Sequence, residues 1–238
     1  MADRATPPVR GRGRPRGPTA QGIQTRERLY QTAIGLIATR GWQETTLRDV
    51  AAEAGVSVGL LYRYFPSKRA VVLALYDELS AQYAERAASL PAGRWRHRFI
   101  HALKASIEVL LPHRASLASL VAVLVGDPNE GLFAPSTAFS RLRVQDVFVQ
   151  SVTNASDAPR GQFAPALGRL LYLAHLAILL WWLLDKSPSQ RATTALVTLL
   201  ERALPLIAAS LRVPGVPGLL VAADALVGEA LFNASMQE

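Results

Sequence analysis

Residues 62–68 place two phenol rings and two cations close together in the chain. Tyr62, Arg63, Tyr64 and Lys68 supply hydroxyl, guanidinium and ammonium groups. Such groups donate hydrogen bonds to phosphate oxygens, and an aromatic ring can also pack on a base or on the sugar–phosphate backbone. Ordinary surface tyrosines are the alternative. The combination of two rings with Arg63 and Lys68 favours a face that contacts nucleic acid.

A second set of residues whose spacing could support chemistry is the pair His97 and His101, which lie one turn apart on a predicted helix. Two imidazoles at this spacing can bind one metal ion. Arg94, Arg96 and Arg98 would repel a cation, so a polar helix face or pocket wall is the better interpretation. The chain has no cysteine, and it lacks a P-loop and a nucleotide-binding glycine motif. We therefore expect no metal, no cofactor and no enzymatic activity.

Helix-spaced apolar residues and end signals define the elements before the two tyrosines. A first helix is expected from Thr25, and Gly41 can end it in a left-handed conformation. Thr46 is a candidate N-cap with Asp49 three residues later, which is the capping-box spacing with Asp in place of Glu. The second helix is expected to run to about Ala54.

A glycine turn separates this second helix from a short third one. Gly55 can adopt a positive φ without steric cost, and Ser57 can cap the third helix. Pro66 closes that helix, and Ser67 can cap a long fourth helix. Helix, glycine turn and helix is the helix-turn-helix plan, in which Tyr62 would lie on the helix that enters the major groove.

The remainder of the chain predicts further helices and shows no run of alternating strand character. Turn signals separate segments at 94–111, 115–125, 136–153, 163–185, 189–212 and 218–233. The predicted fold class is all-α.

Residues 45–75, TTLRDVAAEAGVSVGLLYRYFPSKRAVVLAL, resemble the DNA-binding region of TetR-family regulators nearly residue for residue, including a Leu-Tyr-x-Tyr-Phe-x-x-Lys core at 61–68. The close match covers residues 25–76. The resemblance implies an N-terminal three-helix DNA-binding domain followed by a helical ligand-binding and dimerisation domain. The expected division is a flexible basic arm at 1–23, the helix-turn-helix domain at 24–70 and the second domain at 71–238.

The same resemblance implies a DNA-contacting role for residues on both helices of the motif. Arg48 has an alternative interpretation as a solvated charge paired with Asp49, and Arg63 stands where the family often has His, which adds a phosphate or guanine contact. Leu61 and Phe65 read as core. The implied DNA contacts are Thr46, Arg48, Ser57, Val58, Gly59, Leu60, Tyr62, Arg63, Tyr64 and Lys68.

Basic charge is concentrated toward the amino terminus. The chain carries a formal net charge of +8, with 13 Lys and Arg against 8 Asp and Glu in residues 1–90. Gly11-Arg12-Gly13-Arg14-Pro15 resembles an AT-hook core, and an extended Arg-Gly-Arg fits a narrow A·T minor groove. We expect Arg12 and Arg14 to contact DNA; a solvated basic tail is the alternative, and lipid headgroups would also attract a basic chain.

Large apolar residues in the second domain supply candidates for an effector pocket and a dimer interface. The resemblance implies a homodimer in which the last two long helices of each subunit form a four-helix bundle, which would bury Trp181 and Trp182. Residues 170–184 are too short to cross a bilayer comfortably and contain His175, so a buried or dimer-forming helix is expected instead of a membrane span. The candidate pocket residues are Trp95, Phe99, Leu103, Phe133, Phe139 and Phe148.

The expected function is that of a cytoplasmic, sequence-specific transcriptional regulator of double-stranded DNA. It would bind a palindromic operator as a homodimer, act as a repressor and be released by a small hydrophobic effector. The alternative is a DNA-binding regulator whose apolar C-terminal half is controlled by a protein partner or a membrane.

Overall fold

The computed structural model describes residues 19–127, 129 and 131–232, and within these ranges the regular structure is entirely helical. Short 3₁₀ turns precede α6, α8 and α10. The α-helices are α1 (Ala20–Arg40), α2 (Leu47–Glu53), α3 (Val58–Tyr64), α4 (Lys68–Ala87), α5 (Trp95–Leu110), α6 (Arg114–Ser119), α7 (Val121–Gly126), α8 (Ala138–Thr153), α9 (Phe163–Leu184), α10 (Arg191–Ser210) and α11 (Val216–Phe232).

The first helix begins earlier than the apolar pattern predicts. The Thr19 hydroxyl accepts a hydrogen bond from the Gly22 N–H at 3.1 Å, and this cap starts α1 at Ala20. Residues 20–23, which the sequence places in the flexible arm, are therefore helical. The other end is as predicted, because Gly41 has a φ of +91° and its N–H closes the last turn on the Ile37 carbonyl.

The end signals around the helix-turn-helix motif are confirmed. Thr46 and Asp49 form the predicted capping box: the Thr46 hydroxyl accepts from the Asp49 N–H at 3.2 Å, and the Asp49 carboxylate accepts from the Thr46 N–H at 2.9 Å. Gly55 has a φ of +64° in the turn. The Ser57 and Ser67 hydroxyls accept backbone N–H groups 3.2 Å away at the starts of α3 and α4.

The core around the helix-turn-helix motif (the head, α1–α3 with the first half of α4) includes residues from far along the chain. Leu117, Leu120 and Leu124 pack with the buried residues of α1, α2 and the first half of α4. The Ser116 and Ser119 hydroxyls donate to backbone carbonyls of α1, each at 3.2 Å. The single helix predicted at 115–125 is two helices, because the backbone at Leu120 turns away from α-helical geometry with φ −93° and ψ 0°.

A second core lies among α5, α8, α9 and α10. Here α8 and α9 cross at Gly168, where a Cβ atom would lie 2.5 Å from the Val149 Cα, so only glycine allows this approach. Arg98 is buried between α5 and α8, where it donates to the Pro91, Gln150 and Ser151 carbonyls. The close backbone contact at Gly168 and the hydrogen bonds of Arg98 therefore fix the positions of α5, α8 and α9 relative to one another.

Polar groups secure the ends of the long C-terminal helices. Arg114 of α6 donates to the Trp182 and Asp185 carbonyls at the end of α9, at 2.9 and 2.7 Å. The Asp185 carboxylate accepts from the Thr193 N–H and hydroxyl in α10. Further along, α11 lies against α9, and Asp224 forms an ion pair with Arg169.

Two helical segments, Phe163–Leu184 and Pro188–Ser210, are long and apolar enough to cross a membrane by length and composition. The core helix of a soluble protein passes the same test, so this property alone is weak evidence for a span. In the structure α9 packs on α8 and α11, and several of its residues belong to the second core.

Candidate nucleic-acid interface and interior cavity

The recognition helix α3 presents most of the predicted contact residues to solvent. Ser57, Val58, Gly59 and Arg63 are exposed, and the Tyr62 side chain is 48% exposed. Capping by Ser57 sets the start of α3, where the side chains closest to a major groove would lie.

The remaining residues of the motif divide between surface and interior. Leu61 and Phe65 are buried as expected of core residues, and Leu60 and Tyr64 are half-buried. Burial on one side therefore fixes the orientation of the exposed side of α3.

On α2, Thr46 and Arg48 are exposed beside this face. The Asp49 carboxylate accepts from the Thr46 N–H and hydroxyl, and these hydrogen bonds hold the pKa of Asp49 below its usual value. Asp49 is thus committed to the helix cap, which argues against the alternative in which it neutralises Arg48.

Lys68 has a role that the sequence analysis missed. Its Nζ donates to the Trp42 carbonyl at 2.6 Å and to the Thr45 carbonyl at 3.0 Å, and it lies 4.0 Å from the centre of the Trp42 ring. Lys68 therefore ties the start of α4 to the loop between α1 and α2. The sequence could not reveal this contact, because Trp42 lies 26 positions before Lys68 and no pattern links the two residues. The predicted phosphate contact of Lys68 stays a prediction, and Arg12 and Arg14 lie outside the described residues.

An apolar cavity of about 360 Å³ lies between α4 and the helices of the second domain. Tyr76, Leu79 and Tyr83 of α4 form one wall, while α6, α7, α8 and α9 contribute most of the others. The volume falls in the range of small-molecule pockets, at its lower end.

Of the predicted pocket residues, only Phe133 lines this cavity, so the other assignments are wrong. Trp95, Phe99, Leu103 and Phe148 are buried in the second core, where they pack against other protein side chains. Phe139 is 70% exposed and lies under the Arg143 guanidinium, 4.4 Å from ring centre to Cζ.

Few polar groups reach the cavity. His175 is fully buried, its Nε2 lies 2.8 Å from the Ser106 hydroxyl, and burial lowers its pKa to about 3, so the ring is neutral. The Nδ1 of His175 and the Nε of Arg141 have no hydrogen-bond partner among the described residues. Both residues were missed by the sequence analysis, since nothing in their spacing marks them. Within the described ranges no group of His, Asp and Glu is placed to hold a metal ion.

The two candidate dimer tryptophans face in different directions. Trp181 is 50% exposed and remains available to a partner. Trp182 is fully buried, lines the cavity and lies near Arg114, so its assignment to a dimer interface is wrong. Further exposed apolar side chains lie on α10, at Leu199, Leu206 and Ile207.

Comparison with known proteins places the strongest similarity in the amino-terminal helices. Residues 29–75 match the family model described as bacterial regulatory proteins, tetR family. The HTH-type transcriptional regulator YerO of Bacillus subtilis is 40% identical over 50 residues, which is 21% of this chain and 17% of YerO. The HTH-type transcriptional repressor KstR2 of Rhodococcus jostii is 40% identical over 68 residues, 27% of this chain and 33% of KstR2. These matches therefore span a third or less of either relative.

The similarity of fold extends over nearly the whole chain. A tetR-family transcriptional regulator from Streptomyces coelicolor superposes with a TM-score of 0.61 at 22% identity, covering 90% of this chain and 94% of that one. At this identity the likeness concerns the fold. Taken with the match at residues 29–75, it shows that the amino-terminal helices are similar to the DNA-binding region of the tetR family and that the chain shares the fold of a solved member of that family.

Proposed function

We propose that this protein is a cytoplasmic transcriptional repressor that binds a palindromic operator as a homodimer and is released when a small apolar molecule enters the cavity. The main observation in its support is that α4 connects the head to the cavity. It begins at the DNA-binding head with Lys68 and lines the cavity with Tyr76, Leu79 and Tyr83.

DNA binding is supported by the exposed face of α3. Val58, Gly59 and Leu60 carry no side-chain hydrogen-bonding groups, so base discrimination by these residues would come from methyl contacts and close backbone approach. Tyr62 and Arg63 add a ring and a cation for thymine methyls, guanine or phosphate.

Release by an effector is supported by two contacts between cavity and head. A molecule among the cavity helices would displace α4, and α6 is hydrogen-bonded to α1 through Ser116 and Ser119. Either displacement would change the separation of the recognition helices in a dimer, and both must enter major grooves at a fixed spacing. A coupling free energy of about 1–3 kcal/mol would weaken operator binding roughly 5- to 150-fold.

Selection of DNA sequences from a random pool by the purified protein tests the proposal. We expect a palindromic site, with Arg63→Ala and Leu60→Ala changing which bases are preferred. Enrichment of unrelated sequences by the wild-type chain would contradict the proposal.

The alternative, control by a membrane or protein partner, is tested with the same material. A detergent-free soluble dimer whose operator binding responds to small apolar molecules favours the effector. Response only to added vesicles or cell extract would favour the alternative.

The basic arm is expected to add affinity at A·T-rich flanks. A variant lacking residues 1–18 keeps Thr19, which caps α1, so its head should fold normally. We expect it to lose affinity mainly for operators with A·T-rich flanks, measured by fluorescence anisotropy at matched salt. An equal loss on G·C-rich flanks would reduce the arm to a generic basic tail.

A further inference from the structure

Among the described residues that line the cavity, Arg141 of α8 is the one charged side chain. Its Nε is buried and has no hydrogen-bond partner among the described residues, and its Nη1 reaches the Leu132 and Ala134 carbonyls only at 3.3 and 3.4 Å. These distances lie beyond the usual range for N–H···O bonds. The guanidinium is therefore incompletely satisfied where it stands.

No Asp or Glu among the described lining residues can balance this cation. The Phe232 ring of α11 covers one side of the guanidinium, with Cζ 4.8 Å from the ring centre, and burial lowers the pKa of Arg141. Withdrawing a cation from water without an anion is costly, and an anion supplied from outside would offset this cost.

The remaining wall selects for a hydrocarbon body. Leu117, Val121, Leu173, Leu176 and Leu180 contribute only apolar side chains to it. At roughly 30 Å³ for each water-sized atom, a cavity of 360 Å³ accommodates about twelve such atoms. This is the size of a medium-length hydrocarbon chain with a small head group.

We propose that the cavity binds an amphipathic carboxylate, with the carboxylate paired to Arg141 and the hydrocarbon chain among the leucines of α6 and α9. This inference rests on the proposed function only in treating the cavity as a ligand site. The planar guanidinium offers Nε and a terminal nitrogen side by side, which matches the two oxygens of one carboxylate. A neutral apolar molecule would leave Arg141 as it is.

Calorimetric titration of the full chain with decanoate and with decan-1-ol tests this assignment without DNA. These probes share a hydrocarbon chain and differ in head-group charge. We expect decanoate to bind about tenfold or more tightly than decan-1-ol at neutral pH. Arg141→Gln should bind the two equally, whereas Arg143→Gln, on the same helix but outside the cavity lining, should keep the preference.

Equal binding of the two probes by the wild-type chain, or binding of neither, would overturn the assignment. So would an undiminished preference in a folded Arg141→Gln protein. If circular dichroism shows that this variant does not fold, decanoate against methyl decanoate on the wild-type chain decides, with equal affinities counting against the assignment. Operator binding is assayed separately: a preference for decanoate with no effect on DNA binding upholds the carboxylate site and refutes effector control.

Discussion

At the scale of single residues, the structure gives Lys68 a role that the sequence did not predict. The family resemblance implies a phosphate contact, yet the ammonium already donates to the carbonyls of Trp42 and Thr45. A lysine has three N–H donors, so the two roles are compatible. Its contribution to folding is the part that the structure adds.

We expect Lys68→Ala to lower the free energy of unfolding by about 1–3 kcal/mol, because two loop carbonyls lose a charged donor. Urea unfolding followed by circular dichroism measures this. Arg63→Ala is the matched control, since Arg63 is exposed on α3 and its loss should affect DNA binding with little change in stability. Unchanged stability of Lys68→Ala would show that these hydrogen bonds contribute nothing in solution.

Residue size alone could not separate core from cavity wall. The sequence analysis chose large aromatic residues, and Phe99 and Phe148 proved to fill the second core, while leucines, valines and three tyrosines form most of the wall. Both kinds of position are apolar and helix-spaced, so the hydrophobic pattern is the same for each. Only the relative placement of helices decides which side chains meet each other and which surround a space.

This distinction has a measurable consequence at Phe99. Phe99→Ala should lower the free energy of unfolding by about 3–5 kcal/mol, as expected for truncating a fully buried aromatic residue. Phe133→Ala, at a position that lines the cavity, should cost less and should alter ligand affinity. Thermal unfolding monitored by circular dichroism compares the two, and a stable Phe99→Ala protein with altered ligand binding would restore Phe99 to the pocket.

At the scale of helices, the starts of α2, α3 and α4 were predictable because a hydroxyl side chain supplies each cap. Thr46, Ser57 and Ser67 cap as their types and positions indicate, because a short oxygen-bearing side chain reaches an N–H of the first turn. The start of α1 was missed because Thr19 stands inside a polar, glycine-rich stretch. The break at Leu120 has no turn residue to mark it.

Hydrogen bonds at the junction between α9 and α10 predict that folding stability depends on pH. Hydrogen bonds from Thr193 and Ser187 hold the pKa of Asp185 well below its usual range. Because the folded-state pKa is depressed, the stabilisation is present above the unfolded pKa of about 3.9 and is lost as pH falls below it.

Asp185→Asn should therefore be less stable than the wild-type chain between pH 5 and 7, with the difference shrinking below about pH 4. Urea unfolding at a series of pH values measures it. Asp146→Asn is the control, because Asp146 is exposed on α8 and accepts only from Gln150 in the next turn. A difference that is as large at about pH 2 as at pH 6 would mean that the Asp185 charge does not support the junction.

At the scale of the whole molecule, the exposed leucines of α10 favour a surface that is covered by a second copy of the chain. Leu206 is 74% exposed, and Leu199 of α10 and Trp181 of α9 are exposed as well. Leu206→Glu should convert the expected dimer to monomers, since burying a charge in an apolar interface is unfavourable.

Analytical ultracentrifugation gives the mass, and operator binding should weaken in parallel because a monomer engages one half-site. Leu142→Glu provides the control, as Leu142 is also an exposed leucine but lies on α8. A Leu206→Glu protein that remains dimeric would place the interface elsewhere, with the exposed face of α11 as the next candidate.

The packing of α6 and α7 against α1 bears on how heads and effector domains can be recombined in protein engineering. A chimera joined after residue 70 would leave behind Leu117, Leu120 and Leu124, which complete the core of the head. It would also lose the serine hydroxyls that bond α1. A functional graft of this head must therefore include residues 114–126 as well as α4. Between these two segments lies α5, which belongs to the second core. Under the proposed function, the segments for DNA specificity and for ligand response are interleaved in the chain, so we expect natural exchange between relatives to succeed for complete chains more readily than for heads alone.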